Sequence, residues 1–282
     1  MTILVTGARG NIGRRVLDRL HSAGHRHPLR ASSRTPEELS VPAGVGAVQL
    51  DLNRPATFDA ALSGVDKAFL YAESEGAKEL FAAAARAGVR QVVLLSSSTV
   101  SGPQADSDPL AAHHAAVESA LEASGVPGTV LRPGAFASNA FGWSHAISGG
   151  QPVRIPFPGA HTAPIHEDDI ADVAVAVLED DAYLGRTVEL TGPRSLTFRE
   201  QLGILGGLLG HEIPVHELTR DQAVEEMGRF VPAPILTSLL DQWAAAVDRP
   251  ATVADAERVT GRPARTFEQW AKENQGGFTA RD

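Results

Sequence analysis

The sequence lacks cysteine and is poor in aromatic residues. None of the 282 residues is cysteine, and aromatic side chains make up 5% of the chain. Without cysteine the chain forms no disulfide, no thiolate metal site and no cysteine nucleophile. Any redox chemistry therefore requires a bound cofactor.

Excess positive charge and long apolar runs are also missing. Lys and Arg number 25 against 34 Asp and Glu, which gives a formal net charge of −9. Such a chain has no basic field to attract a phosphate backbone or an anionic lipid surface. Its apolar stretches, such as 171–178, fall far short of the ~18 residues that a membrane span needs. Because the first residues show no basic, cleavable leader, we expect a soluble, cytoplasmic protein that binds neither nucleic acid nor membrane and exists as a monomer or homodimer.

Hydrophobic residues are plentiful at 43% of the chain, and the length suits one Rossmann-type domain with a smaller lobe. The first 132 residues alternate short apolar strands with helical segments, a pattern typical of a parallel sheet covered by helices. The predicted strands are 3–6, 29–33, 47–50, 68–71, 91–96 and 129–132, and the predicted helices are 12–23, 77–87 and 110–123.

Beyond residue 134 the pattern changes to loops rich in Gly, Pro and aromatic residues, followed by helices. Capping boxes at Thr197/Glu200 and Thr266/Gln269 mark two helix starts. The sequence thus predicts an α/β fold with a Rossmann-type doubly wound parallel sheet in residues 1–133 and a smaller C-terminal α/β lobe in residues 134–282. We expect the lobe to pack on the sheet domain with chain crossovers, and ligands to bind outside the carboxyl ends of the strands.

A glycine-rich turn follows the first predicted strand and opens the first helix. Its spacing is Gly7-x-x-Gly10-x-x-Gly13. The first glycine permits the tight turn, the second lets the backbone approach a pyrophosphate, and the third allows close helix–strand packing. The pyrophosphate then lies on free N–H groups at a positive helix end. The alternative is a glycine turn without a ligand. The other predicted cofactor contacts in the turn are Arg9, Asn11 and Ile12.

The end of the second strand indicates which nucleotide binds. NAD-preferring sites usually have Asp or Glu here to bind the ribose 2′-hydroxyl, whereas this chain has Ser32-Ser33-Arg34. Arg34, together with Arg9, offers planar forks of donors to a 2′-phosphate. NADP(H) is therefore the predicted cofactor; the less favoured alternative is that both arginines are solvated surface residues. Asp51 and Leu52 are expected at the adenine edge, although Asp51 could instead cap the following loop.

A series of further motifs occurs in order along most of the chain. These are Leu94-Leu95-Ser96-Ser97-Ser98, Glu118-x-x-Leu121-x-x-Ser124-Gly125, Leu131-Arg132-Pro133-Gly134-x-Phe136, Pro164-Ile165-His166-x-x-Asp169-Ile170-Ala171, Gly185-Arg186-Thr187 with Leu190-Thr191-Gly192, and Thr260-Gly261-Arg262-Pro263. With the glycine turn they resemble the NmrA-like group of atypical short-chain dehydrogenases/reductases, which includes type 2 quinone oxidoreductases. The resemblance adds these residues to the predicted cofactor site: Ala72, Ser96, Pro133, Gly134 and Phe136.

The chain departs from the superfamily where that superfamily places its catalytic Tyr-x-x-x-Lys pair. Aligned on the helical Glu118, Leu110 stands at the Tyr position and His114 at the Lys position. No realignment restores the pair, because the tyrosines and lysines of the chain all lie elsewhere. They are Tyr71, Tyr183, Lys67, Lys78 and Lys272.

Two residues remain as candidate catalytic groups. The resemblance implies that His114 faces the nicotinamide ribose in a positioning role, and histidine also donates protons near neutral pH. The alternative is a helix-surface histidine beside His113. Ser97 either keeps the superfamily's hydrogen bond to substrate or satisfies backbone groups at the strand end.

An aromatic cluster follows the sixth predicted strand. Its rings, predicted to line a pocket for a flat apolar substrate, are Phe136, Phe141, Trp143 and Phe157. Asn139 and His145 are polar candidates in the same segment. The alternative is that the rings form the lobe's own core. No metal is predicted, because a helix starting at Ile170 explains the preceding acidic residues as capping groups.

These features predict an NADPH-dependent oxidoreductase that reduces a quinone, an enone or a similar conjugated small molecule without a Tyr-x-x-x-Lys pair. The alternative is an NADP(H)-sensing regulator of the NmrA type that lacks catalysis. An isomerase or cyclase that retains the nucleotide as a scaffold is a third reading.

Overall fold

The computed structural model describes residues 1–24, 27–102, 105–106, 108–254 and 256–279. The strands are β1 Ile3–Val5, β2 Leu29–Ser33, β3 Gly46–Gln49, β4 Lys67–Tyr71, β5 Gln91–Leu95, β6 Gly128–Pro133, β7 Val153–Pro156, β8 His161–Thr162, β9 Thr187–Leu190, β10 Leu196–Thr197 and β11 Val215–Leu218. The α-helices are α1 Asn11–Ser22, α2 Phe58–Leu62, α3 Ala77–Ala87, α4 Pro109–Ala123, α5 Ser144–Ser148, α6 Glu167–Glu179, α7 Phe198–Leu209, α8 Arg220–Met227, α9 Ala233–Ala245, α10 Glu257–Thr260 and α11 Phe267–Glu273. None of the described helices is long and apolar enough to cross a bilayer.

Seven parallel strands form the central sheet in the order β3-β2-β1-β4-β5-β6-β9. The predicted Rossmann-type fold is therefore confirmed, and the predicted strands and helices of the first 132 residues match the observed ones to within one residue at each end. The seventh strand, β9, was not predicted. Its sequence Thr-Val-Glu-Leu is short and mostly accessible on both faces, so it lacks the apolar run that identifies a buried parallel strand.

Helices cover both faces of the sheet. On one face α1 and α6 pack together, and their buried apolar residues join those of β1 and β2 in one core cluster. On the other face α2, α3 and α4 cover β4 and β5. The expected start of α6 at Ile170 is corrected to Glu167, because the imidazole of His166 caps the helix by accepting the Asp168 N–H.

The remaining helices and short strands form a C-terminal part with two apolar clusters of its own. β7 pairs with β11, and β8 pairs with β10. The capping boxes predicted at Thr197 and Thr266 are both present, and Thr219 with Gln222 forms a third at the start of α8. Because α6 and β9 return to the central sheet from beyond residue 133, a division into 1–133 and 134–282 stays a proposal.

The sheet order places the glycine turn at the point where the strand order reverses. From β1 the chain builds toward one edge through β2 and β3, and it then returns to β4 on the other side of β1. In open α/β sheets a crevice forms outside the carboxyl ends of strands at such a position. The turn from Gly7 to Gly13 leads from β1 into α1 at this crevice.

Candidate cofactor-binding site

The glycine turn has the backbone geometry that a dinucleotide requires. Gly7 adopts φ 62°, and its carbonyl accepts the Gly10 N–H at 2.7 Å. A Cβ on Gly13 would lie within 2.5 Å of the Thr6 carbonyl oxygen, so only glycine lets α1 approach β1 this closely. Gly10 caps the helix without a side-chain acceptor of its own, so the first-turn N–H groups can serve an anionic ligand once any other acceptor has left them.

A cavity of about 770 Å³ opens beside this turn. It lies at the carboxyl ends of β1 to β4, and its volume is in the range of small-molecule and cofactor sites. The cavity brings together predicted residues that are up to 45 positions apart in sequence: Gly7, Arg9, Arg34, Asp51 and Leu52. The site therefore fits the adenosine half of a dinucleotide.

The two arginines at the cavity have different surroundings. The Arg34 guanidinium is exposed and has no ion pair within the described part of the chain. Arg9 is already engaged, because its Nη2 donates to Glu38 Oε2 at 2.9 Å and to Thr35 Oγ1 at 2.9 Å. Of the two, only Arg34 is thus without an ion pair among the described residues, and contact of either arginine with a 2′-phosphate stays a prediction. Asp51 lines the cavity while its Oδ1 accepts the Asn53 N–H, so it caps the following loop as well.

Tyr71 lies directly on the glycine turn, a contact that the sequence analysis missed. A Cβ on Gly7 would meet the Tyr71 ring at 2.5 Å, and the Tyr71 hydroxyl accepts the Ile12 N–H at 3.3 Å. Burial raises the pKa of Tyr71, so the hydroxyl stays protonated at neutral pH. This oxygen occupies the place where a helix N-terminus binds a phosphate oxygen. The available signal was its position as the last residue of β4, whose carboxyl end faces the turn.

We expect Tyr71 to slow cofactor binding, because its ring and hydroxyl must leave the turn first. A net hydrogen bond is worth about 0.5–1.5 kcal/mol, so Tyr71→Ala should bind NADPH up to about tenfold faster. Stopped-flow fluorescence measures the association rate, and Tyr71→Phe separates the hydroxyl from the ring. Association at the wild-type rate in both variants would contradict this role.

α4 carries two neighbouring histidines, His113 and His114. His113 Nε2 lies 3.3 Å from the Ala72 carbonyl oxygen at the end of β4. His114 is half-buried, and its Nδ1 is buried without a hydrogen-bond partner among the described residues. Burial, reinforced by the neighbouring His113, lowers the pKa of His114. The ring is therefore neutral at pH 7 and holds one polar atom available for a ligand.

The serines at the end of β5 already have partners within the chain. Ser97 Oγ accepts the Thr99 N–H and so caps the following 3₁₀ turn. This is the backbone contact given above as the alternative to a hydrogen bond with substrate. Ser96 Oγ donates to Glu118, and Glu118 also accepts from Arg132. This network ties α4 to β5 and β6. Beyond β6, the Gly134 N–H donates to the Leu190 carbonyl, so Pro133 and Gly134 are fixed against β9.

The four candidate aromatic rings are distributed over different clusters. Phe136 packs against the main core beside β1 and α6. Phe141 stacks on Phe278 with ring centroids 5.4 Å apart, and Trp143 packs against the C-terminal apolar cluster that contains Phe278. Phe157 packs against the other C-terminal cluster. Only Trp143 and Phe157 therefore pack as the lobe-core alternative requires, since Phe136 lies against the sheet-domain core and Phe141 is 39% exposed. A substrate wall made from these rings stays a prediction; Asn139 and His145 of the same segment are exposed.

The acidic start of α6 is accounted for by capping and ion pairs. The ligand atoms of His166, Asp168 and Glu273 lie within 4.8 Å of one another. His166 uses Nδ1 to accept the Asp168 N–H and turns Nε2 toward Glu273 at 3.1 Å. Asp168 pairs with Arg15 and Arg19 on α1. Asp168 thus joins α6 to α1, and the His166–Glu273 contact joins the start of α6 to α11.

A doubly wound parallel sheet with a glycine turn at its switch point and a cavity over its strand ends defines a Rossmann-type dinucleotide-binding protein. Comparison with known families agrees with this class. Residues 7–181 match the NAD(P)H-binding family, and the chain belongs to that family.

Relatives in other organisms match almost the whole chain. A (4-alkanoyl-5-oxo-2,5-dihydrofuran-3-yl)methyl phosphate reductase of Streptomyces griseus is 37% identical, over 98% of this chain and 99% of the relative. An NAD(P)H azoreductase of Xenophilus azovorans is 31% identical, over 99% of both chains. The NADPH complex of an Escherichia coli quinone oxidoreductase shares the fold at a TM-score of 0.82 and 22% identity, covering 97% of this chain and 99% of that one. The chain is thus an NAD(P)H-binding protein of a reductase family.

Proposed function

We propose that the chain is an NADPH-dependent reductase of a conjugated small molecule such as a quinone or an enone. The observation that carries this proposal is the site on α4. Where alcohol dehydrogenases of this fold have a Tyr-x-x-x-Lys pair, the chain has Leu110 and His114. The buried Nδ1 of His114, which has no hydrogen-bond partner in the described part of the chain, is a polar group available there.

Conjugated acceptors suit a site without a strong acid. The bound nicotinamide supplies hydride, and an acceptor that delocalises the incoming charge needs little proton donation at that moment. The glycine turn holds the pyrophosphate, Arg34 the 2′-phosphate, and His114 the nicotinamide ribose in the orientation that reaction requires. The Streptomyces relative supports this substrate class, since its name describes a dihydrofuranone that bears an alkanoyl group.

The relatives favour an enzyme over a nucleotide-sensing regulator. Both curated relatives described above are named as reductases, and each matches nearly all of this chain. A regulator would bind the nucleotide without oxidising it, which gives a direct distinction between the two functions.

The test is single-turnover loss of NADPH absorbance with a panel of quinones, enones, azo dyes and alkanoyl butenolides. We expect at least one acceptor class to oxidise bound NADPH far faster than solution chemistry does. With NADP⁺, simple secondary alcohols should not react, because Leu110 cannot accept their proton and general base catalysis contributes typically 10²–10⁴-fold. Tight NADPH binding without oxidation by any acceptor would favour the sensor, and rapid alcohol oxidation would show that the site is wrongly assigned.

A further inference from the structure

The Glu38 carboxylate of the 3₁₀ turn after β2 forms an ion pair with Arg9 of the glycine turn. Glu38 ends the turn Pro36–Glu38, and its Oε2 accepts from Arg9 Nη2 at 2.9 Å and from Thr35 Oγ1 at 3.0 Å. Arg9 Nη2 also donates to the Thr35 carbonyl at 3.0 Å. Arg9, Thr35 and Glu38 therefore form a closed cluster, which we call the Arg9 clamp.

The Arg9 clamp lies at the end of the cavity where the ribose 2′-position is recognised. Arg9, Arg34 and Thr35 line the cavity beside the carboxyl end of β2, the place from which Rossmann proteins contact the 2′-hydroxyl or 2′-phosphate. Arg34 is exposed there without an ion pair among described residues. Because Glu38 neutralises Arg9, the site presents one unpaired guanidinium to the cofactor instead of two.

The clamp is an exposed contact that a ligand can exchange. The side chains of Arg9 and Glu38 are 47% and 63% exposed, so water and salt compete with their pairing. A phosphate dianion offers Arg9 a stronger partner than a single carboxylate oxygen. Binding NADPH, however, requires Glu38 either to release Arg9 or to remain as a negative charge close to the 2′-phosphate. Binding NADH requires neither change.

We propose that Glu38 is a specificity-determining residue that narrows the preference for NADPH over NADH by holding Arg9. The proposal rests on the NAD(P)H binding of the proposed function and concerns only the 2′-end of the nucleotide. In this proposal Arg34 is the main contact of the 2′-phosphate, and Arg9 contacts the phosphate only when Glu38 releases it. The wild-type chain then uses both nucleotides, with NADPH preferred.

The experiment compares Glu38→Gln with Glu37→Gln, measuring equilibrium Kd values for NADPH and NADH by fluorescence titration at low and moderate salt. Glu37 is exposed on the same 3₁₀ turn, so its substitution removes an equal charge one residue away and controls for general electrostatics. We expect Glu38→Gln to tighten NADPH about fivefold, as expected for releasing an exposed ion pair, and to leave NADH within about twofold. The gain should disappear in the Arg9→Ala background, because the two residues act as one unit.

Four outcomes would overturn the proposal. Equal effects of the two substitutions on NADPH would reduce Glu38 to an ordinary surface charge. A gain that persists without Arg9 would show that the clamp is not its cause. If the wild type and the variants bind neither nucleotide, both the cofactor assignment and this proposal are wrong. If the wild type binds NADPH and Glu38→Gln has the same NADPH to NADH preference as the wild type, only this proposal is wrong.

Discussion

His114→Ala is expected to slow oxidation of bound NADPH by a conjugated acceptor about 100-fold, since a misplacement of about 1 Å can cost on the order of that factor. The half-buried ring has an Nδ1 without a hydrogen-bond partner among the described residues, and its loss removes the group that we expect to fix the nicotinamide ribose. NADPH affinity should change only a few-fold, because the glycine turn and Arg34 remain. Single-turnover stopped-flow absorbance gives the rate, and an equilibrium titration gives the affinity.

The matched control is His211→Ala, which removes an exposed histidine that lies just beyond α7. It should leave the single-turnover rate unchanged. Burial lowers the pKa of His114, so the ring is already neutral at pH 7. The wild-type single-turnover rate should therefore be constant between about pH 7 and 9 and should change only at lower pH, where the ring becomes protonated. An unchanged rate in His114→Ala would be compatible with the reductase function but would show that His114 does not position the cofactor.

Arg34→Ala is expected to erase most of the difference between NADPH and NADH affinities. Charge-assisted hydrogen bonds are worth about 1.5–3 kcal/mol, which corresponds to roughly a tenfold to hundredfold preference for NADPH in the wild type. The Arg34 side chain has no ion pair in the described structure, so its removal breaks no contact of that kind within the protein. The measurement is the ratio of the two Kd values.

Arg86→Ala is the corresponding control, because Arg86 is an exposed arginine on α3 whose partner is Asp59. The NADPH to NADH ratio should not respond to this substitution. Equal affinity of the wild-type chain for the two nucleotides would contradict the assignment of Arg34 to the 2′-phosphate.

The middle of the central sheet was predictable because β1, β4 and β5 are buried on both faces and are therefore mostly apolar runs. Gln91–Leu95, for example, is buried at every residue. The glycine turn was predictable because backbone conformation and close packing leave only one residue type for it. Both signals are local, so a window of a few residues contains them.

Contacts between distant segments were not predictable from local pattern. The pairing of Arg9 with Glu38 joins residues 29 positions apart, and nothing in either segment specifies it. Tyr71 reaches the glycine turn because β4 pairs with β1, a topological fact. Nor does closeness in sequence show where the aromatic rings pack: Trp143 and Phe157 lie against different apolar clusters.

The return of α6 and β9 to the central sheet makes the two halves of the chain dependent on each other. A fragment that ends at residue 133 would leave β6 as an unpaired sheet edge and expose the apolar face that α6 covers. The buried Lys67 ammonium would also lose its acceptors, the Leu178 carbonyl and Asp181. Open sheet edges and exposed apolar faces promote aggregation. A replacement of the C-terminal lobe therefore has to retain α6 and β9 and insert the new segments around them, because a new domain fused directly after β6 would leave the sheet incomplete.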